Sequence, residues 1–165
     1  MKVGIVSDSH ANVTQLRRAV ELLVEHGAQV LIHCGDIGNL ACLSVLADTS
    51  LPVYAVAGNI DGDAEQLISG GRLANVCFDR RMVQVRLEDG QVIAVTHGHD
   101  RRLLEELVRQ GCPYVCHGHT HKPSDEQVGA TRLINPGALH HAYPRTVALL
   151  DTDTRQVHFL TLDAE

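Results

Sequence analysis

Short apolar runs, each ending in a residue able to bind a metal, constrain this chain more than any other feature. Lys2–Ser7 is apolar and β-branched, and it leads into Asp8-Ser9-His10. Val30–His33 leads into Gly35-Asp36, and Pro52 opens Val53–Ala57, which leads into Gly58-Asn59. Runs this short read as buried strands. Helical patterns lie between them. Asn12 with Gln15 makes a capping-box-like start, Leu16, Val20, Leu23 and Val24 form the apolar stripe, and Gly27 stops it. Asn39 can cap a second helix that carries Leu40, Leu43 and Leu46 on one face, and Asp63-Ala64-Glu65-Gln66 begins a short one ending at Gly70-Gly71. Strand and helix in alternation predict an α/β chain.

The later part reads as more antiparallel. Arg81–Leu87 and Gln91–Thr96 flank an Asp89-Gly90 turn and form a hairpin. Arg101–Gln110 is a helix closed by Gly111 and Pro113, followed by brief strands at Tyr114–Cys116 and Thr131–Ile134. A C-terminal hairpin pairs Val147–Leu150 with Gln156–Leu162. Val157 and Phe159 point one way in that last strand and Leu160 and Leu162 the other, which predicts cover on both faces. No linker or repeat divides the 165 residues, so 1–165 is expected to be one domain.

Composition narrows the function. Only five residues are aromatic and none is Trp, so the core is Val, Ile, Leu and Ala, and base stacking on single strands is disfavoured. A formal net charge of −6 leaves no electrostatic footprint for nucleic acid. No stretch approaches the roughly 20 apolar residues of a membrane span. With no secretory signal ahead of the five cysteines, the expectation is a cytoplasmic protein with reduced thiols. An apolar edge could pair copies into a homo-oligomer, although no segment declares itself.

Eleven histidines, more than Phe, Tyr and Met together, are the anomaly. Val92–Thr96 ends in His97-Gly98-His99, and Tyr114–Cys116 ends in His117-Gly118-His119-Thr120-His121. Five strands thus deliver N/O donors at their carboxyl ends, where sites gather in open α/β sheets. Taken singly, Asp8 and Asn59 read as turn or cap residues and His97 as a loop histidine; the joint pattern decides. Two carboxylates, several imidazoles and an amide suit Mn, Fe, Zn or Co, and seven donors are too many for one tetrahedral ion but fit a pair. A rival reading uses Cys112, Cys116, His119 and His121 as a structural zinc site, at poor spacing.

Asp8-x-His10, Gly35-Asp36, Gly58-Asn59, His97 and Gly118-His119-x-His121 together resemble the calcineurin-like metallophosphoesterase signature, in order. Asp61 and Asn135-Pro136-Gly137 are similar to its small bacterial and archaeal phosphodiesterase branch, the YfcE-like group, to which the retromer scaffold subunit is also similar. The resemblance spans about Met1 to Leu162. It implies a two-sheet β-sandwich flanked by helices and a metal-dependent phosphodiesterase or phosphatase acting on small phosphate esters. Asp8, His10 and His121 would hold one ion, Asn59, His97 and His119 a second, and Asp36 would bridge them. Manganese is the first choice, with Ni, Co, Fe, Zn or Mg as alternatives, and a bridging hydroxide would be the nucleophile, with Asp36 central to catalysis.

The resemblance also has departures and an alternative. Ile60 and Asn39 stand where relatives use a proton-donating histidine, and Ala138 where they often carry Ser. Asn39 and His99 are candidates to touch the phosphate and assist catalysis. His140 and His141 would line the substrate mouth or simply face solvent. The alternative function is a binding scaffold like the retromer subunit, against which the intact donor set argues.

Overall fold

The computed structural model describes residues 1–62, 67, 69 and 73–163. The helix expected from Asp63 to Gly71 lies outside the described residues, apart from isolated positions. Eleven strands are described: β1 (Lys2–Val6), β2 (Val30–His33), β3 (Val53–Val56), β4 (Val76–Asp79), β5 (Val83–Arg86), β6 (Val92–Val95), β7 (Tyr114–Cys116), β8 (Ser124–Val128), β9 (Thr131–Asn135), β10 (Thr146–Asp151) and β11 (Gln156–Thr161). Three described helices accompany them: α1 (Val13–Glu25), α2 (Leu40–Ala47) and α3 (Arg101–Arg109).

The strands form two sheets flanked by helices. One has the order β11-β10-β1-β2-β3-β4, and the other β5-β6-β7-β9-β8. β1 to β4 run parallel, while β10 and β11 return antiparallel. In the second sheet β6, β7 and β9 are parallel, and β5 and β8 are antiparallel edges, so this half is mixed rather than antiparallel. The period-2 alternation sorts the two faces. Val3, Ile5, Val30, Ile32 and Val56 meet Val85, Ile93, Val95 and Ile134 between the sheets. Val6, Leu31, Val53 and Ala55 face α1 and α2, which bring Leu16, Leu23, Leu43 and Leu46. α3 sets Leu103 and Leu107 on Ala94 and Val115 of the second sheet's outer face. Each fully buried aliphatic side chain is worth about 1.5–3 kcal/mol. That burial holds the strands still, and the chemistry sits on their ends.

Two strands were not foreseen. β8 is Ser-Asp-Glu-Gln-Val, exposed along most of its length, and its pairing rests on β9 rather than on apolar periodicity. β4 buries only Val76 and is an edge of the first sheet. β11 corrects an expectation. Val157 packs toward the inter-sheet core and Leu160 toward the helix side, but the strand is an edge and Phe159 stays 38% exposed.

All three described helices begin directly after a site loop, α1 and α2 on the caps expected for them and α3 on Asp100, for which no cap was expected. Asn12 Oδ1 accepts from the Gln15 N–H at 3.1 Å, Asn39 Oδ1 from the Cys42 N–H at 2.9 Å, and Asp100 Oδ1 from the Leu103 N–H at 3.2 Å. A cap of this kind contributes about 1 kcal/mol. None of the described helices is long and apolar enough to cross a membrane.

Candidate metal centre

The loops after β1 and β2 run alongside each other beyond the sheet edge. The Asp8 N–H donates to Gly35 O at 3.0 Å, His10 N–H to Asp36 O at 2.9 Å, and Ala11 N–H to Ile37 O at 2.9 Å. Asp8, His10, Asp36, His119 and His121 all have positive φ, between 45° and 69°. Non-glycine residues in this region cost of order 1–3 kcal/mol each and persist only where their surroundings over-determine them.

Those surroundings are specific. Asp61, buried, accepts from three backbone N–H groups: Ile37 at 3.0 Å, Gly38 at 2.8 Å and Gly58 at 2.9 Å. It thereby ties the β2 loop to the β3 loop. Asn135 donates through Nδ2 to Gly118 O and Thr120 Oγ1, both at 3.0 Å, and holds the loop after β7. Two glycines let the loops approach closely. A Cβ on Gly58 would lie 2.0 Å from Asp36 Oδ1, and one on Gly118 would lie 1.9 Å from Ser7 Oγ.

All seven residues singled out as ligands meet at this edge. His121 Nε2 lies 3.1 Å from Asp8 Oδ1, and His10 Nε2 lies 3.9 Å from Asp8 Oδ1 and 3.3 Å from Asp36 Oδ2. His97 Nε2 is 3.4 Å from Asp36 Oδ1 and 3.0 Å from Asn59 Oδ1, which is also 3.0 Å from His119 Nδ1. Asp8 Oδ2 accepts from Ser7 Oγ at 2.5 Å and the His119 N–H at 3.1 Å. Asp8 Oδ1 and His10 Nε2, though buried and close to other donors, have no partner with hydrogen-bond geometry. A buried polar atom left unpaired costs about 1–3 kcal/mol, more if charged. Two orphaned atoms facing one spot, among mixed N/O donors, fit a divalent cation. Asp8, His10 and His121 form one such group and Asp8, Asp36 and His97 another, with the donor atoms of each within 4.8 Å of one another.

The electrostatics agree. Burial opposes ionisation of Asp36, but the His97 hydrogen bond, the Ile60 N–H and the His97 and His10 imidazoles outweigh it and hold the carboxyl at about 2. Burial likewise opposes protonation of His97, and Asp36 overcomes it, so the His97 pKa is raised. His97 Nδ1 lies 2.7 Å from Cys34 O. With the Nδ1–H donated there, a bound cation would replace the Nε2 proton shared with Asp36 and meet Nε2 as a lone pair, an arrangement that orients ligating histidines.

Other expected residues fall into place or move. The His99 ring lies 5.3 Å from that of His97 and 6.2 Å from that of His119, at the rim. Burial and the neighbouring His97 and His119 lower its pKa. Asn39 is the cap of α2 through Oδ1. His117 Nδ1 faces Gly118 O behind the site at 3.2 Å, as a strand-end histidine. His140 stacks on His10. The zinc reading fails: Cys112 precedes β7 and sits 3.3 Å from Tyr114 O, whereas His119 and His121 lie beyond that strand's other end. Cys116 is packed between the sheets, where burial pushes its thiol far up. Neither candidate metal-binding group among the described residues contains a cysteine.

Sequence reasoning singled out Asp61 and Asn135 but missed a third support, His33. His33, fully buried, lies with Nε2 2.9 Å from Ser9 Oγ, and its Nδ1 accepts from the Gly35 N–H at 3.2 Å. Ser7 and Ser9 flank Asp8 in the sequence, and that adjacency was the only available signal.

The fold and this edge define a class, a two-sheet α/β sandwich with a carboxylate–imidazole cage at its strand ends. The family model of the calcineurin-like phosphoesterase superfamily domain matches residues 1–155, and the chain belongs to that family, which implies divalent metal ions. It is 29% identical over 169 residues to the phosphodiesterase MJ0936 of Methanocaldococcus jannaschii, covering 99% of this chain and 100% of that protein. It is 30% identical over 175 residues to the phosphodiesterase YfcE of Escherichia coli K12, covering 95% and 91%. The solved structure of an archaeal phosphodiesterase superposes with a TM-score of 0.88 at 28% identity, over 98% of this chain and 99% of that one. Vps29 of Entamoeba histolytica, at 17% identity and a TM-score of 0.67 over 98% and 99%, shares the fold.

Proposed function

We propose that this chain is a metal-dependent phosphodiesterase that hydrolyses small phosphate esters. One observation carries the reading: seven N/O donors from five strand ends converge, two of them buried carboxylates, and Asp8 Oδ1 and His10 Nε2 remain unpaired. In this reading Asp8, His10 and His121 hold one ion, Asn59, His97 and His119 hold another, and Asp36 serves both. Manganese is the first choice, with Ni, Co, Fe, Zn or Mg as alternatives. Bound ions supply Lewis acidity and lower the pKa of coordinated water to about 7.

The protein does the rest. Asp36 stays ionised across the working pH range, because its pKa is held at about 2. Ser7 and the His119 N–H occupy Asp8 Oδ2 and leave Oδ1 free for the site. His99 has a lowered pKa and is a neutral imidazole at pH 7, able to donate one N–H to a nonbridging phosphoryl oxygen. Asn39 spends Oδ1 on its cap, and its Nδ2 is the group available to substrate. The Ile60 N–H is taken by Asp36 Oδ1 at 3.0 Å, and its side chain has no proton to give. The chain works as one domain, in the cytoplasm, with free thiols.

The test is a panel of phosphate mono- and diesters assayed with Mn, Ni, Co, Zn and Mg. Turnover of aryl diesters with one of these ions supports the reading; no turnover with any of them leaves a scaffold.

A further inference from the structure

On the side of the candidate centre away from His99, a row of rings leads outward. His121 and His10 have centroids 5.6 Å apart; His140 stacks on His10 at 4.5 Å and 21°; His141 meets His140 edge-on at 3.8 Å. The last two hold no place in the proposed donor set. His141 is exposed, and its φ is +47°, the same unfavourable region that the loop donors occupy. Two residues on, Tyr143 is 89% exposed in a chain with only three tyrosines and two phenylalanines.

This segment is fastened at both ends. The Gly137 N–H donates to Asn135 Oδ1 at 2.9 Å, and Thr146 Oγ1 donates to Pro136 O at 2.8 Å. Arg145 donates to Leu139 O at 3.2 Å and pairs with Asp163 at 2.8 Å. Ala138 and Leu139 are fully buried beneath it. Asn135 also holds the loop carrying His119 and His121, so the ring-bearing segment is fixed relative to the donors. Anchoring the backbone on both sides of the ring-bearing residues lowers the entropy lost when they bind another ring.

We infer that His140, His141 and Tyr143 form a recognition surface for a planar, aromatic ester substituent of the substrate, on the His10 side of the centre. The inference rests on the phosphodiesterase reading and adds a substrate class to it. The phosphoryl group would sit at the donor cage, with one ester arm lying along His140 and His141. A ring pair is worth about 0.5–1.5 kcal/mol beyond its buried area, so each ring contact converts to roughly a two- to tenfold preference.

The experiment holds the leaving group constant. Methyl p-nitrophenyl phosphate and phenyl p-nitrophenyl phosphate differ only in the retained arm. The Mn-loaded protein is expected to show a phenyl-to-methyl ratio of kcat/KM above about fivefold. In H141G combined with Y143A that ratio should fall at least about threefold; glycine accepts the positive φ at position 141. A second measurement needs no turnover. By calorimetric titration of the Mn-loaded wild type, diphenyl phosphate should bind at least about fivefold more tightly than dimethyl phosphate. Equal affinities for the two, or a phenyl-to-methyl ratio unmoved in the double variant, would overturn the inference. Selective binding of diphenyl phosphate with neither p-nitrophenyl ester hydrolysed would sustain the recognition surface while refuting the phosphodiesterase reading.

Discussion

Acid should destabilise this protein through one buried imidazole that takes no part in the donor set. His33 accepts from the Gly35 N–H at Nδ1, so its proton is on Nε2 and is donated to Ser9 Oγ, which in turn donates to Ile37 O at 3.1 Å. Protonating Nδ1 would set one donor against another inside the protein. Burial first, and the His97 imidazole second, push the His33 pKa down from 6.5 to about 3. The folded value lies below the unfolded one, so between pH 6.5 and 3 the unfolded chain binds the extra proton. The contribution is intact above 6.5 and is lost progressively as the pH falls toward 3. At pH 5, about 1.5 units below 6.5, the loss is about 2 kcal/mol at 1.36 kcal/mol per unit. His33→Gln keeps an N–H donor and cannot titrate. It should cost about 1–2 kcal/mol at pH 7, for the unsatisfied Gly35 N–H. Between pH 7 and 5, however, it should lose about 2 kcal/mol less than the wild type. Urea unfolding of both proteins in chelator, at a series of pH values, measures the difference. Parallel stability–pH curves for the two would refute the assignment of His33 as the neutral, buried group.

Asp36→Asn should lower turnover more than about 100-fold and reduce bound metal, with unchanged far-UV circular dichroism, because it removes the carboxylate proposed to serve both ions; metal analysis beside an aryl diester assay checks it. Activity should fall below pH ~6 as protons compete for the ligand imidazoles, His97 above all, whose pKa Asp36 raises, and excess metal should restore part of the loss; a loss that saturating metal leaves untouched would point elsewhere. Ile60→His should raise kcat/KM for alkyl phosphates more than for aryl ones, approaching the 10²–10⁴ that general-acid help contributes. A wild-type rate already insensitive to leaving-group pKa would mean that another residue, His99 first, supplies the proton.

The parts of the site that the sequence exposed are those encoded locally. A short apolar run followed within about five residues by Asp, Asn or His is visible without knowing what pairs with what, and all seven donors arrive this way. Caps are local too, and Asn12 and Asn39 announce theirs through the residues that follow them. What stayed hidden depends on partners distant in the chain. β8 exists because residues 124–128 pair with β9, and its own polar sequence carries no strand signal. Apolar residues on both sides of β11 signalled a covered strand, but a sheet edge is set by what fails to pair beside it. Cys112 and His119 are seven residues apart in sequence, yet β7 runs between them and separates their ends. His33 and Ser9 are 24 residues apart, and no pattern within either segment announces their contact.

The strain at the centre ties the fold to its chemistry. Among the described residues, nine non-glycine residues have positive φ, and five of them are proposed donors, so strain is concentrated where the donors converge. Such conformations would relax if the loops were free. They are held by groups with no direct chemistry: Asp61 gathers three N–H groups from two loops, Asn135 spans three backbone and side-chain partners, and His33 bridges Ser9 and Gly35. Beneath them the aliphatic core between the sheets fixes the five strand ends. The same framework that bears the strained backbone leaves Asp8 Oδ1 and His10 Nε2 unpaired. A fold that spends its supports on keeping a carboxylate oxygen and an imidazole nitrogen open side by side, among further N/O donors, suits a divalent cation, which compensates both at once.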